Sequence, residues 1–145
     1  MNRKIMALIL SLIGVLLSIA FFVKIEFPQG FENYFKREYY NQFGPMVISV
    51  ELLTASYYLF IGHKNTNFAL AVFGCTALLD PIFNQIGFLN SNMPLYGTII
   101  FSICALLCLW LAFLNPFNLN RMSILSTLVS VVLSVLIELF FNYPG

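Results

Sequence analysis

The chain has 145 residues, of which 60% are hydrophobic and only 9% are charged, and its formal net charge is +1. A soluble domain of this size needs far more charge to cover its surface, so this composition, with a mean hydropathy of +0.88, indicates an integral membrane protein. The small net charge provides neither the basic surface of a nucleic-acid-binding protein nor a polybasic membrane anchor. We therefore expect membrane lipids, and no nucleic acid, as partners.

Five apolar segments approach the roughly 20 residues that an α-helix needs to cross a bilayer. We predict spans at about 5–23, 45–62, 68–88, 94–114 and 122–141, separated by polar or Pro- and Gly-containing sequence. The sequence thus predicts one all-α transmembrane domain, 1–145, built as a bundle of four to five membrane-spanning helices. The lower count applies if the third span is re-entrant.

The first segment has some features of a signal peptide, because it follows the basic start MNRK and contains Ser18 and Ala20 around a third residue. Its apolar region is too long for a signal peptide, so we interpret it as a retained span.

The connection after the first span is rich in aromatic residues at helical spacing. It predicts an interfacial amphipathic helix at about 31–43 with its aromatic side toward the membrane. The alternative is an irregular loop whose aromatic rings lie in the membrane interface. In either form the segment could cap a cavity between the spans. The aromatic residues are Phe31, Tyr34, Phe35, Tyr39 and Phe43.

Basic residues on alternate sides of the spans predict the orientation. With five spans, the amino-terminal side holds Arg3, Lys4, Lys64 and Arg121, and the other side holds Lys24, Lys36 and Arg37. Four against three favours a cytoplasmic amino terminus.

Three acidic residues, Glu51, Asp80 and Glu138, lie within the predicted spans. A charge in the bilayer costs several kcal/mol unless it is paired, neutralised or hydrated, so each acid is a candidate for function. Glu51 shares a helix face with Thr54, Ala55 and Tyr58. Asp80 shares one with Thr76 and Asn84.

The short turn GHKNTN makes the second and third spans antiparallel neighbours. At ~1.5 Å rise per residue, Glu51 lies about 17 Å from Gly62 and Asp80 about 18 Å from Phe68, so both carboxyl groups are expected at a similar depth. These relations predict a ligand or proton site formed by Glu51, Tyr58, Asp80, Asn84 and Gln85.

Pro81 supports a second interpretation of the same residues. Proline removes a backbone donor and clashes with the carbonyl of Ala77, so the third span is expected to kink or break. Polar side chains at such a kink could simply hold helices together. The sequence leaves the two interpretations open.

The last span carries hydroxyl residues every three to four positions. Such a face is expected to pack within the bundle or to form a homodimer. Glu138 follows this face and is close enough to the span's end to extend toward the interface. The hydroxyl residues are Ser123, Ser126, Thr127, Ser130 and Ser134.

No established catalytic or metal-binding motif is present in the sequence. The single histidine, His63, lies in a polar turn, and Cys75, Cys104 and Cys108 have no metal-ligand spacing. We predict no catalytic residues, no metal and no cofactor, and the sequence gives no support for enzymatic chemistry.

The stretch VELLTASYYLFIGHKNTNFALAVF resembles the corresponding part of DoxX-like membrane proteins. The matching positions are Glu51, Leu52, Leu53, Thr54, Ala55, Gly62 and Ala69. The chain departs from that family in lacking its paired glycines, in the offset of Gly62 and in having five predicted spans where the family usually has four. The resemblance implies a four-helix bundle in the bacterial cytoplasmic membrane, sometimes associated with redox or sulfur metabolism.

Three functions are compatible with the sequence. The first is a non-enzymatic membrane protein that holds a small molecule, lipid or proton near Glu51 and Asp80, or serves as an accessory subunit of a larger membrane complex. The second is an oligomeric transporter or channel subunit, with the serine face of the last span as the contact between copies. The third is a membrane immunity or interaction protein that pairs helices with a target.

Overall fold

The computed structural model describes residues 2–87 and 93–142 of the chain. Its helices are α1 (Arg3–Phe22), α2 (Arg37–Asn41), α3 (Gly44–Ile61), α4 (Thr66–Gln85), α5 (Leu95–Leu114) and α6 (Ile124–Asn142), with a 3-10 turn at Phe31–Phe35. Five of these helices, all but α2, are long and apolar enough to cross a membrane. The prediction of an all-α membrane bundle is confirmed. Position 88, the predicted end of the third span, lies outside the described residues.

Helix α4 lies at the centre of the bundle. It packs against α3, α5 and α6, while α1 packs on α3. The buried apolar core follows these contacts and includes Leu52, Leu59, Leu70, Phe73 and Phe101. Large apolar side chains that remain exposed cover the outer faces of α1, α5 and α6. Such an apolar exterior suits a bundle surrounded by acyl chains, since lipid is as apolar as the side chains that face it.

Small residues allow close helix contacts, as is common in membrane bundles. Gly14 of α1 lies against the side chain of Leu53 on α3, and Gly74 of α4 lies against Leu109 on α5. Ser11 also donates to Ser56 across the α1–α3 contact, with 2.9 Å between the hydroxyl oxygens.

Helix α4 continues through Pro81 to Gln85. Proline has no N–H to donate to the Ala77 carbonyl, but one lost hydrogen bond does not end the helix. The structure therefore does not show the break that Pro81 was expected to allow.

The aromatic connection is helical in two short pieces rather than one continuous helix. Lys36 between them is extended, with φ −82° and ψ 149°. Gln42 holds the end of the connection against the chain after α1: its side-chain oxygen accepts from Glu26 N at 2.9 Å, and its side-chain nitrogen donates to Glu26 O at 2.8 Å. Tyr39 packs edge-on against Tyr34 and Phe43, with ring centroids 5.2 and 5.1 Å apart. These contacts hold the segment in a folded conformation at the end of the bundle.

The hydroxyl face of α6 packs within the bundle. Ser130 and Ser134 are completely buried, and the Ser134 hydroxyl donates to Val72 O on α4 at 3.1 Å. Glu138, one turn farther along α6, is also buried and does not extend into solvent. Ser123 is exposed and Ser126 and Thr127 are half-buried, so the first part of this face is not covered within the bundle, and the homodimer stays a prediction.

Asn67 connects the start of α4 to the segment between α5 and α6. Its amide nitrogen donates to Asn115 Oδ1 at 3.0 Å and to the carbonyl oxygens of Leu119 and Asn120. We expect Asn67→Leu to destabilise the protein by about 1–3 kcal/mol, because Asn67 is buried and its hydrogen bonds to these partly buried acceptors are lost. Thermal unfolding in detergent measures the effect, and Asn65→Leu, at an exposed position two residues earlier, is the control. An equal melting temperature for wild type and Asn67→Leu would contradict the role of Asn67.

Candidate intramembrane site

A cavity of about 610 Å³ lies between α3, α4 and α6. Its walls are mainly aliphatic and aromatic. They are formed by Phe43, Met46, Val47, Val50, Glu51, Thr54, Tyr58, Asn65, Phe68, Ala69, Val72, Leu133 and Ile137. We call this cavity the groove.

The groove is long and opens toward the surrounding membrane. From Phe43 to Tyr58 the wall follows α3 for roughly 22 Å, most of the ~30 Å hydrocarbon core of a bilayer. Val50, Thr54 and Leu133 are lining residues whose side chains are exposed, so a ligand can enter from the side. These dimensions suit an elongated apolar molecule.

Among the described residues that line the groove, Glu51 is the only acidic one, and none is Lys, Arg or His. Both of its carboxylate oxygens are buried and have no hydrogen-bond partner among the described residues. Burying a polar group without a partner costs roughly 1–3 kcal/mol, and more when the group is charged. The fold therefore holds a carboxyl group in an apolar cavity at a cost to its own stability.

The neighbours of Glu51 on α4 are Thr76 and Cys75. The Thr76 hydroxyl donates to Val72 O at 2.8 Å within its own helix. The Thr76 hydroxyl therefore lies beside the carboxyl group of Glu51, but its single proton is used in the bond to Val72 O, and neither Glu51 oxygen has a hydrogen-bond donor in this geometry.

The five residues predicted as a ligand site separate into two groups. Glu51 and Tyr58 line the groove. Asp80 is buried but is not a wall residue, and Asn84 and Gln85 are exposed near the end of α4. Of the predicted set, the groove wall therefore contains the two α3 members.

The depth of Asp80 explains this separation. Helix α4 begins at Thr66, whose hydroxyl donates to Tyr58 O at 3.0 Å and to His63 O at 2.6 Å, so its start is tied to the end of α3. Glu51 is ten residues before Ile61 (61 − 51), and Thr76 is ten residues after Thr66 (76 − 66), which puts these two at the same level. Asp80 lies one turn, about 6 Å, farther along α4.

Glu138 lies closer to the depth of Glu51 and Thr76 in the bundle than the sequence indicated. Ser134 of α6 contacts Val72 of α4, and the two helices run in the same direction. One turn farther along each helix, Glu138 reaches the level of Thr76 and Glu51. The serine repeat was the sequence signal for the burial of Glu138, because it predicted that the face of α6 leading to Glu138 could pack within the bundle.

The groove ends at the α3–α4 turn in a more polar region. The rings of Tyr58 and His63 stack with centroids 4.4 Å apart, and His63 Nδ1 accepts from Asn65 N at 3.0 Å. A second cavity of about 260 Å³ shares Asn65 and Phe68 with the groove and is also lined by Lys64, Asn120, Arg121, Met122 and Ser126. This end is therefore basic, whereas the centre of the groove is acidic.

Within residues 2–87 and 93–142, no group of three His, Cys, Asp or Glu side chains could hold a metal ion. The three cysteines are free thiols, and Cys104 and Cys108 are buried between helices.

A scan against protein-family models and searches of curated proteins and of solved structures find no match to this chain. The resemblance to DoxX-like proteins stays a prediction. Composition, five apolar helices and the bundle define a small polytopic α-helical membrane protein.

Proposed function

We propose that this protein is a non-enzymatic membrane protein that binds an elongated lipophilic molecule in the groove. The observation that carries the proposal is the pair of buried, unpartnered Glu51 oxygens in the wall of an apolar cavity. Such a wall favours an apolar chain, because burying it against side chains fills space that would otherwise be poorly packed. A polar group of the ligand then meets Glu51, while Tyr58 lines the end of the groove near the polar turn.

The proposal also includes the orientation of the protein in the membrane and its partners. The basic residues Arg3, Lys64 and Arg121 gather at one end of the bundle, where Arg3 lies against Gly62, which supports an amino terminus in the cytoplasm. Membrane lipids supply the natural environment of the groove. A ligand-binding role is compatible with an accessory subunit of a larger complex, which would contact the lipid-exposed faces of α1, α5 or α6.

The test is photolabelling of the purified protein in lipid nanodiscs with hexadecanol that carries a diazirine at the end of its chain. We expect the label on groove residues of α3, α4 and α6. Ala69→Trp fills the groove and should lower this labelling about tenfold, since the chain loses apolar contacts. Val50→Trp, at a more exposed wall position, should give a smaller loss. Leu106→Trp, on the outer face of α5, is the matched control.

The labelling pattern of the variants distinguishes two outcomes. Labelling of the groove that falls in Ala69→Trp and persists in Leu106→Trp supports the proposal. Labelling spread evenly over all lipid-facing helices, unchanged by either groove variant, would mean that the groove is only part of the lipid-exposed surface.

A further inference from the structure

We infer that the ligand of the groove is an amphiphilic amine, a molecule with an apolar chain and a protonated nitrogen that binds Glu51. This inference rests on the proposed function and specifies its ligand class. It concerns the sign of the ligand's charge and the number of its hydrogen-bond donors.

The number of donors follows from Glu51. Both of its oxygens are buried and without a donor among the described residues. A hydroxyl group offers one O–H and could satisfy one oxygen, whereas a primary ammonium offers three N–H donors and can satisfy both. Hydrogen bonds between an ammonium and a carboxylate are also stronger than those between neutral groups.

The sign of the charge follows from the helices around the groove. Helices α3, α4, α5 and α6 contain no Lys, Arg or His. Glu51, Asp80 and Glu138 lie on three of these helices within about one turn of depth. Asp80 and Glu138 make contacts of their own, so they act here as nearby carboxyl groups and not as free ligands. In a medium of low dielectric this arrangement favours a cation at Glu51 and disfavours an anion.

The route of entry fits the same ligand class. The turn end of the groove is bordered by Lys64 and Arg121, which repel a cation. The side of the groove opens between α3 and α6 at Val50, Thr54 and Leu133, whose side chains are exposed. An amphiphilic amine already dissolved in the membrane can reach Glu51 through this opening without passing the basic residues.

The experiment compares three photoactivatable probes of equal chain length: hexadecylamine, hexadecanol and hexadecyl sulfate, each with a diazirine at the end of the chain. Labelling of groove peptides is measured for the full-length protein in nanodiscs of neutral lipid. We expect the amine to label the wild type about tenfold more than the alcohol, the preference that one charge-assisted hydrogen bond provides, and the sulfate to label least.

Variants assign the preference to Glu51. Glu51→Gln should label equally with amine and alcohol, while Glu51→Asp should keep part of the preference for the amine. Ser102→Ala, which removes a polar group from α5 outside the groove wall, should behave as wild type. Circular dichroism confirms that each variant keeps its helices.

Each contrary outcome has its own meaning. Equal labelling of the wild type by amine and alcohol would overturn the amine inference and leave the lipophilic groove standing. Strongest labelling by the sulfate would also overturn it and would point to Lys64 and Arg121 as the binding group. Absence of groove labelling by all three probes would overturn the proposed function itself.

Discussion

Gly74→Ala is expected to destabilise the bundle by about 1–3 kcal/mol, the usual range for overpacking a well-packed contact. A methyl group at this position would lie 2.7 Å from Leu109 Cγ and 3.2 Å from the backbone oxygen of Ala105. The backbone of α5 cannot rotate away as a side chain can, so α4 and α5 would have to separate. Because α4 contacts three other helices, the loss should spread beyond this pair.

Reversible unfolding in mixed micelles measures this change in the free energy of unfolding. Gly14→Ala is the matched control, because its new methyl group would meet mainly the branched end of Leu53, which can change rotamer. The gain in helix propensity from glycine to alanine, about 1 kcal/mol, is the same at both sites. Equal free energies of unfolding for the two variants would contradict the expectation that the close α4–α5 contact makes Gly74→Ala destabilising.

Glu51→Leu is expected to stabilise the unliganded protein by about 1–3 kcal/mol and to abolish selective binding in the groove. Leucine removes two buried oxygens that have no hydrogen-bond partner, and it adds apolar contacts in an apolar wall. Glu51→Gln should not stabilise, since its amide group would need partners in the same place. Thr54→Leu, at an exposed wall position, should be close to neutral.

Thermal unfolding of these variants in one detergent, without added ligand, gives the comparison. The expected order of melting temperature is Glu51→Leu above wild type, with Thr54→Leu close to wild type. A lower melting temperature for Glu51→Leu would mean that the carboxyl group has a stabilising partner, and it would remove the main argument for a ligand at this position.

Together these expectations describe a site that costs stability. A protein selected only for its fold would be expected to have an apolar side chain at position 51. A buried polar group that lowers stability is expected mainly at a functional site, where function offsets its cost. Loss of binding together with gain of stability in one variant is the result that links Glu51 to function.

Several properties of the protein could be predicted from the sequence alone. The existence and the approximate bounds of the five long helices follow from the lengths of the apolar segments. In a membrane each spanning segment must satisfy its own backbone hydrogen bonds, and a helix does so. The candidate role of Glu51 also follows locally, from one acid on the same helix face as Tyr58. These features need no knowledge of which helices are neighbours, apart from the pair joined by the short turn.

The remaining features depend on tertiary structure. The hydrogen bonds of Thr66 set where α4 begins, and this register puts Thr76 rather than Asp80 beside Glu51. The groove is formed by α3, α4 and α6, and α6 is separated from α4 in the chain by a whole helix. Packing of Ser134 on Val72 brings Glu138 to the same depth. In each case contacts between helices, or within the turn that joins α3 to α4, select one arrangement among several that hydropathy allows. Hydropathy depends on composition along a helix and not on the rotation of the helix or on its neighbours.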